Sequence, residues 1–205
     1  MFVNPYEIGV DESGRGPLLG RVYTAAVYFG SSTPPQDIII KDSKKMSKTQ
    51  RQKSYEWIIN NVKDYSVSFA DPSEIDNINI LQATRLAMSR AISRIKENHL
   101  HEANIIAIDG PSWENKFDEF KKYNLEINSV IGGDSKHLSI AAASILAKEE
   151  HDKYIKELCI ENKHLDDRYD LLNNMGYGTK KHLEGIKKYG ISPFHRSSFK
   201  PCNII

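Results

Sequence analysis

Residues 8–16 read Ile8-Gly9-Val10-Asp11-Glu12-Ser13-Gly14-Arg15-Gly16. The apolar start predicts a short strand over residues 8–11, and the Ser-Gly-Arg-Gly run predicts the turn that ends it. Residues 22–29, rich in Val, Tyr, Thr and Ala, predict a second strand beyond that turn. Further on, the pattern alternates. A capping box, Ser47 with Gln50, predicts a helix to about Val62. Residues 65–70 alternate like a half-buried strand. Asn79 is placed to cap an amphipathic helix with Ile80, Leu81, Ala83, Ala87, Met88, Ala91, Ile92 and Ile95 on one stripe. Residues 105–109 and 125–131 predict two more strands, and Ile38-Ile39-Ile40 a short additional one. A long helix over 138–162 opens on Ser139-Ile140-Ala141-Ala142-Ala143-Ser144, small residues that permit close packing on a sheet, and a further helix covers 180–189. β-rich sequence followed by alternating helix and strand predicts an α/β fold, a mixed sheet with helices on its faces. The helix and loop after about residue 163 reads as a C-terminal appendage on the same domain.

Composition sets outer limits. The chain has 205 residues, enough for one large domain with a sizeable core, and 28 basic against 27 acidic side chains give a net charge of +1. Near-neutrality argues against non-specific adhesion to polyanions but leaves room for a local basic patch. Two cysteines, Cys159 and Cys202, are too few for a disulfide framework, so a reducing cytoplasm is the expected compartment. The N-terminus lacks the pattern of a signal peptide, and no apolar run reaches the ~18 residues of a membrane span.

Three apolar runs end in acids: Val10 leads to Asp11-Glu12, Ile108 to Asp109, and Ile131-Gly132-Gly133 to Asp134. Each alone reads better as a solvated surface turn than as a site. Together, at the ends of strands of an α/β sheet, they suggest a site. Clustered carboxylates repel, burial raises that cost, and a divalent cation removes it. Oxygen-only ligands favour Mg²⁺ or Mn²⁺ over zinc, and two such ions ~3.5–4 Å apart serve phosphoryl displacement. Adjacent Asp11 and Glu12 should point to opposite faces of a strand, so both can serve one site only if the chain bends there; the glycines after Ser13 are placed to supply the bend.

Gly14-Arg15-Gly16 offers backbone N–H groups that could approach a phosphate or sugar, although taken alone it reads better as a tight structural turn. With Gly20 it misses the dinucleotide fingerprint by one residue, and no Walker lysine follows. Asp42-Ser43-Lys44-Lys45 is a polar loop whose Ser43, Lys44 and Lys45 could meet phosphate, or simply face water. Tyr177, between Gly176 and Gly178 with Lys180, Lys181 and His182 behind, could stack on a base or sugar or pack on the core. Seven histidines show no zinc spacing with the two cysteines, and most read as surface or hydrogen-bonding residues. His195-Arg196-Ser197-Ser198 is a second basic-polar cluster that could touch phosphate. A nucleic-acid-binding module without catalysis and a nucleotide-binding protein are the competing readings.

Taken together, these motifs resemble those of ribonuclease HII. Residues 9–20, through Gly9-Val10-Asp11-Glu12-Ser13-Gly14-Arg15-Gly16-Pro17, are similar to that family's opening signature, and Lys41-Asp42-Ser43-Lys44-Lys45-Met46-Ser47 resembles its second motif. Ile108-Asp109-Gly110, residues 133–148, residues 176–182 and residues 192–199 resemble the rest, in family order. The resemblance implies a ribonuclease H-like fold: a five-stranded mixed sheet flanked by helices (about residues 1–162) and a helical C-terminal extension (163–205), forming a single domain. It implies cleavage of the RNA strand of RNA–DNA hybrids. It also implies incision 5′ to single ribonucleotides in duplex DNA, leaving 3′-hydroxyl and 5′-phosphate. By position Asp11, Glu12, Asp109 and Asp134 match the catalytic acids, the first three holding Mg²⁺ or Mn²⁺. Gly14-Arg15-Gly16 matches the loop that senses the 2′-OH, and Tyr177 the tyrosine that stacks on the neighbouring deoxyribose. A monomer is expected. Ser13 and Met46 replace the family's usual Ala and Leu, and Glu149-Glu150-His151-Asp152 departs where a basic residue commonly precedes the Asp. Arg15 and the early start of the motif distinguish the chain from the sister family, ribonuclease HIII.

Overall fold

The computed structural model describes residues 1–113 and 115–204. Its centre is β1 (Glu7–Ser13), which pairs antiparallel with β2 (Val22–Tyr28) on one side. Helix α1 (Lys48–Asn61) and strand β3 (Asp64–Ala70) follow, and β3 lies antiparallel to β2. After helices α2 (Pro72–Ser93) and α3 (Glu97–Glu102), strand β4 (Ile105–Asp109) returns parallel to β1, and β5 (Glu126–Val130) lies parallel to β4. The sheet order is β3-β2-β1-β4-β5. The chain then runs through α4 (Leu138–Glu161), α5 (Lys163–Tyr169), α6 (Leu171–Asn174) and α7 (Lys180–Tyr189). Among the described residues, no helix is long and apolar enough to cross a membrane.

The pleat of β1 and β2 sorts side chains onto two faces. Ile8, Val10, Ala26 and Tyr28 join Ile106 and Ile108 beneath Met88, Ala91, Ile92 and Ile95 of the α2 region. Ala25 and Val27 face Ala141, Ala142, Ile145 and Leu146 of α4 and Ile58 of α1. A third core, Leu18, Leu19, Ile155, Leu165, Tyr169, Leu171 and Ile186, ties the C-terminal helices to the segment after β1.

The small residues opening α4 do what their size allows. A Cβ placed on Gly9 would lie 2.2 Å from the Ser139 carbonyl carbon and 2.3 Å from Ile140 N, so strand and helix backbones touch there.

Three expectations need correction. Ile38-Ile39-Ile40 is not a strand: Ile38 N–H closes a turn on Pro35, and the Ile39 carbonyl accepts from Ser54 Oγ of α1 at 2.6 Å instead of from a neighbouring strand. Helix α2 begins before Asn79, at Pro72, with an Asp71–Glu74 capping box. Asn79 sits inside it at φ 63°, a kink, and its Oδ1 accepts from Leu81 and Gln82 N–H, so it caps the second segment as expected. Leu81 is exposed and lies off the buried stripe.

Gly9→Ala should push α4 off the sheet and cost about 3 kcal/mol or more, the upper end for overpacking a core. Urea unfolding of the variant should show a lowered midpoint with an unchanged slope.

Candidate active site

Parallel pairing brings the C-terminal ends of β1 and β4 to the same end of the sheet. Their ladder stops at Val10–Ile108, while β1 stays paired with β2 through Asp11–Ala25, Glu12–Thr24 and Ser13–Tyr23. Asp11 and Glu12 therefore both belong to the strand, and the expected bend lies beyond them, at Gly14. They share one site because β4 ends beside them, not because β1 turns between them. Asp109 closes β4, and its Oδ1 accepts from Gly133 N–H at 2.6 Å. That bond draws the turn after β5 over the end of β4. Gly133 allows it, since a Cβ there would meet Ile140 Cδ1 at 2.6 Å. Asp134 follows in a short 3₁₀ turn (Gly133–Ser135).

The electrostatics report convergence. Asp11 is 6% exposed. Burial first, then the charges of Glu12, Asp109 and Asp134, hold its carboxyl well above the usual carboxylate range, opposed only by the Glu12 N–H bond to Oδ1 at 2.7 Å. Glu12 is also pushed up by burial, against the pull of Arg15, whose Nη1 donates to Oε1 at 3.3 Å. Its Oε2 is buried without a hydrogen-bond partner. Asp134 is raised by burial, then by Asp42 and Asp109.

Asp42 is a fifth carboxylate at the site, beside Asp134 and immediately before Ser43, Lys44 and Lys45. Burial pushes it up, but the Lys44 N–H bond (3.0 Å) and the Lys45 ion pair (3.1 Å) outweigh that and lower it. The loop's side chains divide. Lys44 lowers the carboxyls of Glu12 and Asp134 and so faces the acids. Lys45 turns back onto Asp42. Ser43 is buried, with its N–H on Ser144 Oγ at 3.3 Å and its carbonyl accepting from Arg51 Nη1 at 3.4 Å.

Gly14 has φ +88° and lies on the His151 ring, where a Cβ would come within 2.5 Å of Cδ2. Arg15 is exposed on its pair with Glu12. Gly16 sits beside Tyr177, a Cβ there lying 3.2 Å from Cε1. Tyr177 is 43% exposed, so its ring packs on the glycine loop rather than in the core.

Four histidines, His99, His151, His182 and His195, are buried and hydrogen-bonded, the second of the two roles expected of them. Two of them support Tyr177. His195 Nδ1 accepts from Ser192 N–H at 2.9 Å, so its proton is on Nε2 and is donated to His182 Nε2 at 3.1 Å. His182 Nδ1–H then donates to the Tyr177 carbonyl at 3.0 Å. This relay requires both rings neutral. Burial first, then the neighbouring His182, push His195 down to about 4.

The His195–Ser198 cluster does not face phosphate. Ser197 and Ser198 bind Asp76 of α2 through N–H and hydroxyl, at 2.6–2.9 Å, and Arg196 is fully buried. Asp152 is held ionised by Lys148 at 2.7 Å and His151 at 3.2 Å.

The donor set at the sheet end suits a hard divalent cation: carboxylate oxygens only, with Asp11, Glu12 and Asp134 raised first by burial and further by neighbouring acids, and with one buried oxygen unpartnered. Among the described residues no group of three or more His, Cys, Asp or Glu side chains is close enough together to hold a metal ion by itself. Mg²⁺ is ordinarily bound by one or two carboxylates plus water and substrate phosphate, so an open set fits it.

The ribonuclease HII family model matches residues 8–202. Ribonuclease HII of Staphylococcus carnosus is 43% identical over 197 residues, 96% of this chain and 69% of that one. That of Francisella tularensis subsp. holarctica is 39% identical over 204 residues, 97% of each. Among solved structures, the fold is similar to ribonuclease HII in its PCNA complex from Archaeoglobus fulgidus (TM-score 0.75, 22% identity, 95% of each chain). It is also similar to Bst ribonuclease HIII with Mn²⁺ (TM-score 0.64, 20% identity, 96% of this chain and 68% of that one). The architecture is thus ribonuclease H-like: a five-stranded mixed sheet flanked by helices with a helical C-terminal extension. The chain belongs to the ribonuclease HII family. Membership makes it an endonucleolytic hydrolase that cleaves RNA in RNA–DNA hybrids and at ribonucleotides within DNA, using divalent metal.

Two stability measurements test this geometry. Asp11 is raised above its ordinary 3.8, so the stability tied to its neutral form is complete below 3.8 and is lost as pH rises through the raised value. At pH 7 in EDTA, Asp11→Asn should be more stable than wild type by about 1 kcal/mol, roughly 2–4 °C in Tm for a chain of this size. Saturating Mg²⁺ should narrow the gap. His195 runs the other way: its neutral form is favoured by folding, so that stability is complete above 6.5 and is lost as pH falls toward about 4. The difference in unfolding free energy between wild type and His195→Gln should shrink by roughly 3 kcal/mol over that window, read by denaturant titration at each pH.

Proposed function

We propose that Asp11, Glu12 and Asp109 hold the divalent cations, Mg²⁺ or Mn²⁺ and two per site in catalysis, and that Asp134 completes the set. When bound, such ions activate the attacking water and stabilise the leaving 3′-oxygen of an in-line phosphodiester hydrolysis. The observation that carries this reading is the placement of Asp11, buried beside Glu12 at the end that β1 shares with β4, where Asp109 closes β4 and the Gly133–Asp134 turn is tied to it. Asp109, tied to Gly133 N–H through Oδ1, keeps Oδ2 available as a ligand. Lys44 offsets negative charge on the same side and is placed to meet a substrate phosphate.

Specificity comes from the loop beside the acids. The backbone of Gly14-Arg15-Gly16 reads the ribose 2′-OH, the group that separates RNA from DNA locally, and the half-exposed Tyr177 ring against Gly16 stacks on the neighbouring sugar. Ser43 contributes through its backbone, which anchors the loop carrying Lys44, and Lys45 holds Asp42 in place. The cut falls 5′ to the ribonucleotide and leaves 3′-hydroxyl and 5′-phosphate. The chain acts as a monomer in the cytoplasm, its catalytic sheet (about 1–162) and helical extension (163–205) forming a single domain.

The test is cleavage of a labelled DNA duplex with one embedded ribonucleotide, in Mg²⁺, in Mn²⁺ and in EDTA, beside an all-DNA duplex. A metal-dependent cut 5′ to the ribonucleotide and an intact all-DNA control are expected. Asp11→Asn should abolish the cut in a folded protein, and activity retained at saturating Mg²⁺ would refute the metal assignment. Tyr177→Ala should lower junction cleavage by roughly tenfold, the scale of a lost stacking contact.

A further inference from the structure

Among the described residues Arg196 is the largest fully buried side chain, and no carboxylate of theirs lies within salt-bridge distance of it. Its guanidinium is spent on backbone. Nη2 donates to the Gly14 carbonyl at 2.6 Å, Nη1 to the Arg15 carbonyl at 2.9 Å and Nε to the Gly20 carbonyl at 2.9 Å. Its own N–H donates to the Leu18 carbonyl at 2.8 Å, and the Phe199 ring centroid is 5.1 Å from its guanidinium carbon. Burying a cation is costly unless its donors are met, and here three carbonyls of one loop meet them.

The geometry has a consequence for that loop. In a trans peptide the C=O and the following N–H point in opposite directions. Fixing the Gly14 and Arg15 carbonyls onto Arg196 therefore turns the Arg15 and Gly16 N–H groups away from it. Neither N–H donates to a partner among the described residues. We propose that Arg196 is a positioning residue for substrate discrimination: its fork sets the two peptide planes that present the Arg15 and Gly16 amides to the ribose at an RNA–DNA junction. This rests on the reading of the Gly14–Gly16 loop given above. Lysine keeps the charge but not the planar fork, and cannot hold three diverging carbonyls in one geometry.

The experiment compares kcat/KM on a DNA duplex with one embedded ribonucleotide and on a long RNA–DNA hybrid, for wild type, Arg15→Pro, Arg196→Lys and the double variant. Arg196→Lys should lower the embedded-to-hybrid ratio by about tenfold, since small misplacements of positioning groups are costly. Arg15→Pro deletes the Arg15 N–H itself. It should change the ratio in the same direction and add little in the Arg196→Lys background, because the two act as one unit. A parallel loss on both substrates, or additive effects in the double variant, would overturn the proposal and leave Arg196 a fold-stabilising residue. Should Arg196→Lys fail to fold, Arg196→Gln removes the buried charge and leaves an amide too short to span the three carbonyls. The same fall in the ratio is then expected, and an unchanged ratio overturns the proposal. An unchanged ratio in Arg15→Pro would show that the Arg15 amide does not read the ribose, and this proposal would fall with that reading. A lowered Arg15→Pro ratio beside an unchanged Arg196→Lys ratio would overturn the positioning role alone.

Discussion

Repulsion among buried carboxylates at the shared end of β1 and β4 is the constraint around which the rest is arranged. The parallel pairing that builds the sheet also brings Asp11 and Asp109 to one end, and the turn after β5 adds Asp134. The protein offsets this charge only in part. Glu12 N–H bonds Asp11, Gly133 N–H bonds Asp109, Arg15 pairs with Glu12, and Lys44 faces the group from its loop. Full neutralisation would stabilise the fold and leave no demand for an external cation. Under the proposed metal assignment, the site trades stability for affinity toward a cation.

Holding such a site open places a burden on the surrounding structure. The contact between Gly9 and the start of α4 fixes the strand against a rigid helix. The same helix carries Glu149 and Asp152, which Arg51 of α1 reaches at 2.5 and 3.7 Å while its Nη1 bonds the Ser43 carbonyl. The Lys44 loop is thereby braced on two helices. On the opposite side, the C-terminal segment braces the glycine loop. Leu18 N–H donates to Gly176, Gly20 N–H to Phe194, and the histidine relay carries the support on to the Tyr177 carbonyl. The extension therefore supports both the glycine loop and Tyr177, and under the proposed function it is part of what reads the junction.

How much of this was visible in the sequence depends on whether the cause is local. β2, β4 and α7 were legible because propensity, apolar period and caps agree within a few residues, as with Thr179 accepting from His182 N–H at the start of α7. The four acids were legible as ends of apolar runs, and their convergence followed from parallel pairing. The first turns of α2 were missed because Asn79, at φ 63°, marks a true start within a longer element, although Asp71, Pro72 and Glu74 carried the earlier signal. Ile38–Ile40 misled because an apolar triplet says nothing of whether a partner strand exists. Arg196 was not legible at all. Flanked by His195 and Ser197 it reads as surface, and its carbonyl partners lie nearly the whole chain away.

Strand β1 itself shows how structural and functional acids differ. Glu7 and Asp11 are four residues apart, on one face, and both are buried. Glu7 is answered by His137 Nδ1 at 2.9 Å and by the Ser139 hydroxyl, so its charge is spent inside the fold, joining strand to helix. Asp11 has one backbone N–H and otherwise other acids. The difference does not lie in residue type, strand or burial. It lies in the sign of what surrounds each carboxylate: donors around Glu7 make a joint, and like charges around Asp11 make a site that gains most from a cation. Asp152, buried between Lys148 and His151, falls on the structural side by the same criterion, despite its position one helix face from the glycine loop.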